Sequence, residues 1–125
     1  MYAKYDGHCA YCGREILYKD MQVDHLEPVA FMRGGNDIGN LMPSCRRCNF
    51  YKGCFSLEGF REQLAEIPRR LREHKNHSMI YNLALMHGLV EETGRPVKFH
   101  FEGREPSREW KEYAAKEREN EHKDV

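Results

Sequence analysis

The stretch from Val23 to Gly53, VDHLEPVAFMRGGNDIGNLMPSCRRCNFYKG, compresses two strands, a loop and a short helix into thirty-one residues. Met21 and Val23 stand among polar neighbours and predict a strand over about Met21–His25, stopped by Pro28. Gly34-Gly35, Asn36-Asp37 and Gly39-Asn40 mark a loop. Leu41-Met42 predicts a second short strand returning beside the first. Pro43 and Ser44 then lead into CRRCNFYKG, a short helix closed by Gly53.

Working outward, the pair Cys45/Cys48 has a counterpart upstream, Cys9/Cys12 in HCAYCG. Each two-residue gap lets one tight turn aim two thiolates at the same ion. Two such knuckles make a closed, tetrahedral, all-thiolate zinc site. Residues 13–44 separate the pairs, more than a simple zinc ribbon needs and enough for a strand and a loop. His8 could rival a cysteine as ligand, but four thiolates already fill the site. Cys54 is the odd cysteine and reads as a buried or idle thiol.

The chain has 125 residues, 40% hydrophobic and 32% charged, with mean hydropathy −0.84. This is the composition of one polar domain, or a small one with an extension, whose thin core benefits from a metal staple. No apolar run approaches the roughly 18 residues of a membrane span. The start, MYAKYDGHCA, lacks an apolar signal core, so a cytoplasmic location is expected, where paired Cys-x-x-Cys motifs favour metal over disulfide. Twenty basic and twenty acidic residues give zero formal net charge. That balance argues against a protein that coats nucleic acid non-specifically. Local positive charge at Arg46, Arg47 and Lys52 would still serve a short contact with a phosphate backbone.

Downstream, Ser56 is a candidate N-cap, and Leu57, Phe60, Leu64, Ile67 and Leu71 recur at helical spacing up to a break near Pro68. HSMIYNLALMHGLVEETG predicts a second helix, with Ile80, Leu83, Ala84 and Met86 facing a core and Gly94 ending it. Val97, Phe99 and Phe101 alternate with Lys98 and His100, which predicts a strand. A charged helix follows, anchored by Trp110 and Tyr113, with its last ten residues solvated or frayed. Arg69, Arg70 and Arg72 form either a solvated face or a contact to DNA backbone. The expected architecture is α+β: a zinc-stapled core over 1–56, then a mainly helical extension over 57–125 with one short strand, packed on the core.

Asp24 is a good ligand for a hard cation such as Mg2+, and His25 can take a proton at neutral pH. Together they suit hydrolysis, although an ordinary surface Asp-His pair is the plainer reading. Asn40 is either a turn residue or the tie that steadies the loop presenting His25. Asn49 either caps the helix or offers an amide oxygen to a metal. Lys52 lies on the same helical face three residues later.

The ordered set resembles the HNH endonuclease family, whose fold is the ββα-metal finger. The resemblance covers residues 8–53 and rests on VDH, the Gly/Asn loop, NLMPSC and CNFYKG between flanking Cys-x-x-Cys pairs. It implies His25 as general base, Asp24 as metal ligand and Asn40 as the residue orienting the base loop. Asn49 falls where the family often has histidine as second metal ligand, so this is a His-Asn-Asn variant. Cys9, Cys12, Cys45 and Cys48 would hold the structural zinc. The implied activity is Mg2+- or Mn2+-dependent hydrolysis of DNA, with RNA as the alternative substrate, giving 5′-phosphate and 3′-hydroxyl ends. Activity should rise through about pH 6–8, because His25 acts only when neutral. By analogy, a chain of this size suits a phage-like nicking or weakly specific enzyme with no membrane association, its C-terminal half available to a protein partner. The competing reading is a non-catalytic zinc module for nucleic-acid binding or protein interaction.

Overall fold

The computed structural model describes residues 1–28 and 37–123, with the side chains of 121–123 outside that set. Most of the expected Gly/Asn loop, residues 31–36, lies outside the described residues. The chain divides into two compact units, Met1–Leu57 with Lys98–Val125, and Glu58–Val97.

The first unit is organised on β1 (Gln22–His25) and β2 (Leu41–Ser44), an antiparallel pair in the register Gln22↔Ser44 to His25↔Leu41. Helix α1 (Arg46–Lys52) follows directly and packs on β1. Leu26 N–H donates to Asn40 O at 2.7 Å, which makes 26/40 a hydrogen-bonded pair and His25/Leu41 an open one. In an open pair the main-chain groups point away from the partner strand. Leu41 N–H turns back to Ile38 O, and Leu41 O accepts from Lys4 Nζ at 2.8 Å. His25 O accepts from Lys52 Nζ at 2.8 Å. Pro43 has no N–H, and its carbonyl accepts from Ala10 N–H at 2.8 Å.

The first knuckle closes as a short ribbon: His8 bridges Glu15, and Cys9 N–H donates to Arg14 O at 2.8 Å. Gly13 turns it with φ 79°, and a Cβ there would meet the His100 ring at 2.7 Å. Around the knuckle lies the core: Tyr5, Cys9, Ala10, Tyr11, Ile16, Met42, Phe99, Trp110 and Ala114 are buried. Helix α5 (Arg108–Lys123) starts where the Ser107 hydroxyl accepts from Trp110 N–H, and packs on the 3-10 turn Tyr2–Tyr5. It is anchored by Trp110 and Ala114, one turn apart. Tyr113 is half exposed and is not the second anchor.

The strand expected over Val97–Phe101 does not form. Phe99 is buried against Tyr11, but His100 and Phe101 donate their N–H groups to Tyr11 O and Ala10 O. Phe99 N–H goes to the Glu102 carboxylate, and a 3-10 turn runs over His100–Gly103. The apolar alternation is real, but the backbone partners come from the knuckle rather than from a strand.

In the second unit, α2 (Leu57–Ala65) and α3 (Ile67–Glu73) are separated at Glu66, with Pro68 in the first turn of α3. Helix α4 (Ser78–Met86) packs on α3. It stops well before Gly94: Gly88 takes φ 70°, Leu89 N–H reaches Ala84 O and Gly88 N–H reaches Leu85 O, a Schellman closure. Of the expected core face of α4, Ile80, Leu83 and Met86 are exposed and Ala84 is half-buried, and Met79 is exposed as well. Arg69 pairs with Glu66 and Glu73, and Arg72 with Glu92, so these two cations are already answered within the unit. Among the described residues, no helix is long and apolar enough to cross a membrane.

Candidate functional site

The two knuckles meet. The Sγ atoms of Cys9, Cys12, Cys45 and Cys48 all lie within 4.8 Å of one another. Zn–S bonds of about 2.3 Å in a tetrahedron place sulfurs about 3.8 Å apart, and Cys12 Sγ and Cys45 Sγ are 3.8 Å apart. The main chain supports the thiolates, with Tyr11 N–H on Cys9 Sγ and Cys48 N–H on Cys45 Sγ, each at 3.4 Å. A hydrogen bond from Cys48 pulls the Cys9 thiol down to about 4, while burial holds Cys12 up at about 11. Four thiols this close cannot all ionise without a cation among them, so the cluster fits a divalent ion that replaces their protons. Cys54 is exposed and stands apart from this set.

Asp24 faces inward and is 7% exposed. Its Oδ2 accepts from the Tyr11 hydroxyl at 2.5 Å and lies 3.0 Å from Lys52 Nζ. Lys52 is 1% exposed, so it is not the solvent-facing phosphate contact expected from the sequence. The last turn of α1 carries it inward, and one ammonium bridges the Asp24 carboxylate and the His25 carbonyl. Tyr11 is 3% exposed, and burial together with the Asp24 charge pushes its hydroxyl well above the usual tyrosine range.

His25 ends β1, one residue on from Asp24 and so directed to the other face of the strand. The Asn40 amide holds both sides of the next-but-one residue: Oδ1 accepts from Glu27 N–H at 3.0 Å, and Nδ2 donates to Glu27 O at 2.9 Å. Glu27 in turn accepts from Leu57 N–H at 3.2 Å. Asn49 lies on α1 one turn before Lys52, partly exposed. Lys52 reaching Asp24 turns that side of α1 toward β1, and carboxylate and amide oxygens are the hard donors that Mg2+ or Mn2+ accepts. Arg46 and Arg47 are exposed and line a groove with Arg14, Lys19 and Gln22.

Tyr11 and the inward role of Lys52 were not anticipated from the sequence. A tyrosine between two ligand cysteines, and a lysine one turn after Asn49, were the available signals.

Residues 9–53 match the HNH endonuclease family. Two curated proteins are similar over this part of the chain, each a CRISPR-associated endonuclease Cas9. The protein from Corynebacterium diphtheriae is 42% identical over 45 residues, 36% of this chain. That from Actinomyces naeslundii is 46% identical over 41 residues, 33% of this chain. The matched segment spans 4% of either relative. No solved structure matches. The cysteine cluster, the Asp-His strand and the helix that grips it all fall inside the stretch that matches the HNH endonuclease family.

Proposed function

We propose that the chain is a metal-dependent endonuclease that hydrolyses DNA phosphodiester bonds, with RNA as the alternative substrate. His25 is the general base, Asp24 and Asn49 hold one Mg2+ or Mn2+, and the four cysteines hold a structural Zn2+. The observation that supports this best is the Lys52 bridge, which ties the Asp24 carboxylate and the His25 carbonyl to the helix bearing Asn49. It ties β1, which carries Asp24 and His25, to α1, which carries Asn49, and pre-organised catalysis needs such a tie.

In this reading, the His25 imidazole takes the proton of an attacking water. Its backbone cannot drift, because Lys52 fixes the His25 carbonyl and Asn40 fixes the Glu27 peptide. Asp24 and Asn49 would hold the divalent ion, whose charge would stabilise the phosphate and its leaving oxygen. Arg46 and Arg47 contact the phosphate backbone, and the products carry 5′-phosphate and 3′-hydroxyl ends. The similarity to two endonucleases supports the reaction class, although the matched segment is 4% of either relative's length.

A non-catalytic binding module is the second reading, favoured by the fact that Asp24 Oδ2 is already engaged by Lys52 and Tyr11. Plasmid nicking decides between them. The zinc-loaded chain should nick with Mg2+ and stop with excess EDTA, and His25→Ala should lose at least about a hundredfold in rate with its fold and zinc intact. Cleavage at the full rate by His25→Ala sinks the base assignment, and absence of any Mg2+-dependent product favours the binding module.

A further inference from the structure

We propose that Tyr11 is a positioning residue for Asp24, so that the four-cysteine cluster sets the geometry of the divalent-ion site through one hydrogen bond. The inference rests on the reading of Asp24 as a ligand of that ion. Tyr11 lies between Cys9 and Cys12, next to Cys12, and is fixed from three sides. Its N–H donates to Cys9 Sγ at 3.4 Å, its carbonyl accepts from His100 N–H at 3.0 Å, and its ring packs edge-on against Phe99 at 5.5 Å. With the phenol so held, its hydroxyl meets Asp24 Oδ2 at 2.5 Å. The second contact on Oδ2, Lys52 at 3.0 Å, stands on the helix that Cys45 and Cys48 begin. Both holders of that oxygen therefore hang from the cysteine cluster, one from each knuckle.

Neutralising Asp24 needs only the lysine. The phenol adds direction: a hydroxyl and an ammonium together engage the lone pairs of Oδ2 and fix the plane of the carboxylate. That leaves Oδ1 as the oxygen free to meet a cation, in one orientation. Hydrogen bonds to ligating carboxylates commonly govern metal affinity by ten- to a hundredfold.

The test uses the full, zinc-loaded chain and Mn2+ as probe, read by the electron paramagnetic resonance of free Mn2+. Tyr11→Phe should keep one zinc per chain, bind Mn2+ about tenfold more weakly, and cleave within threefold of the parent rate once Mn2+ is saturating. Unchanged Mn2+ affinity in Tyr11→Phe, beside at least tenfold weaker binding in Asp24→Asn, overturns the proposal and leaves the ligand reading standing. Parental Mn2+ affinity in Asp24→Asn overturns the ligand reading, and the proposal with it. If Tyr11→Phe fails to hold zinc, 3-fluorotyrosine placed at position 11 keeps the hydroxyl. Its fluorine resonance should move when Mg2+ is added, and a stationary resonance overturns the proposal.

Discussion

The unit formed by residues 1–57 and 98–125 and the unit formed by Glu58–Val97 order their chains by different means. In the first, buried side chains from Tyr5 to Ala114 gather around two cysteine knuckles, and buried polar groups find partners across long sequence distances. In the second, Phe60 is the one buried hydrophobic side chain among the described residues. There, short-range helical bonds and ion pairs such as Arg69 with Glu66 and Glu73 do most of the ordering. The contrast teaches that a chain this polar builds its core where the four-cysteine cluster gathers the surrounding segments.

The strongest way to break the contrast is to remove the metal. Cys45→Ser, or chelation of the zinc, should unfold the first unit, since apparent zinc binding of about 10–16 kcal/mol is folding energy in sites of this kind. Hydrogen exchange should accelerate across residues 1–57 and 98–123, and persistence of protection there would show a core that stands without its staple. Next in size is Lys52→Met, which leaves the Asp24 carboxylate buried without its counter-charge. It should cost about 3–5 kcal/mol in denaturant unfolding, whereas a loss under about 1 kcal/mol would mean that Asp24 rehydrates.

A third prediction concerns Lys4, buried with its ammonium 4.2 Å from the Trp110 ring centroid. Burial, aided by Arg118 and opposed by Asp37, lowers it from 10.5 to about 8. Between those values the unfolded chain holds a proton that the folded chain has released. Stability relative to Lys4→Met should therefore rise as pH increases from about 8 to 10.5, by up to about 3 kcal/mol. A flat difference across that window would show that Lys4 keeps its proton in the fold. The smallest effect belongs to the second unit. Met86 is 78% exposed, and Met86→Glu should shift stability by no more than about 0.5 kcal/mol. A larger loss would reveal that the open face of α4 is covered in solution.

Much of the first unit was legible because its signals are local. Cysteine spacing, the Asp-His strand, Pro43 and the helix closed at Gly53 each act over a few residues. What was hidden depends on pairing at a distance. Lys52 looks like a surface cation until the intervening chain, residues 25–51, brings it onto Asp24. Phe99 alternates like a strand residue, and only the knuckle carbonyls beside it decide otherwise. The apolar face of α4 illustrates the converse: helical periodicity reports a side, not whether anything covers it. Gly94 was the later of two glycines able to end that helix, and the closure at Gly88 is set by Leu89 reaching back to Ala84.

A ribbon of two strands is all rim, and an unguarded rim invites a strand from another molecule. Along the outer side of β2, Leu41 N–H and O are taken by Ile38 and Lys4, Pro43 offers no donor, and its carbonyl is claimed by Ala10. At the tip of β1, Lys52 occupies the His25 carbonyl. The same ammonium that steadies the candidate site thus also works as a stopper, closing the rim of β1 at its end to the strand addition that begins fibrils.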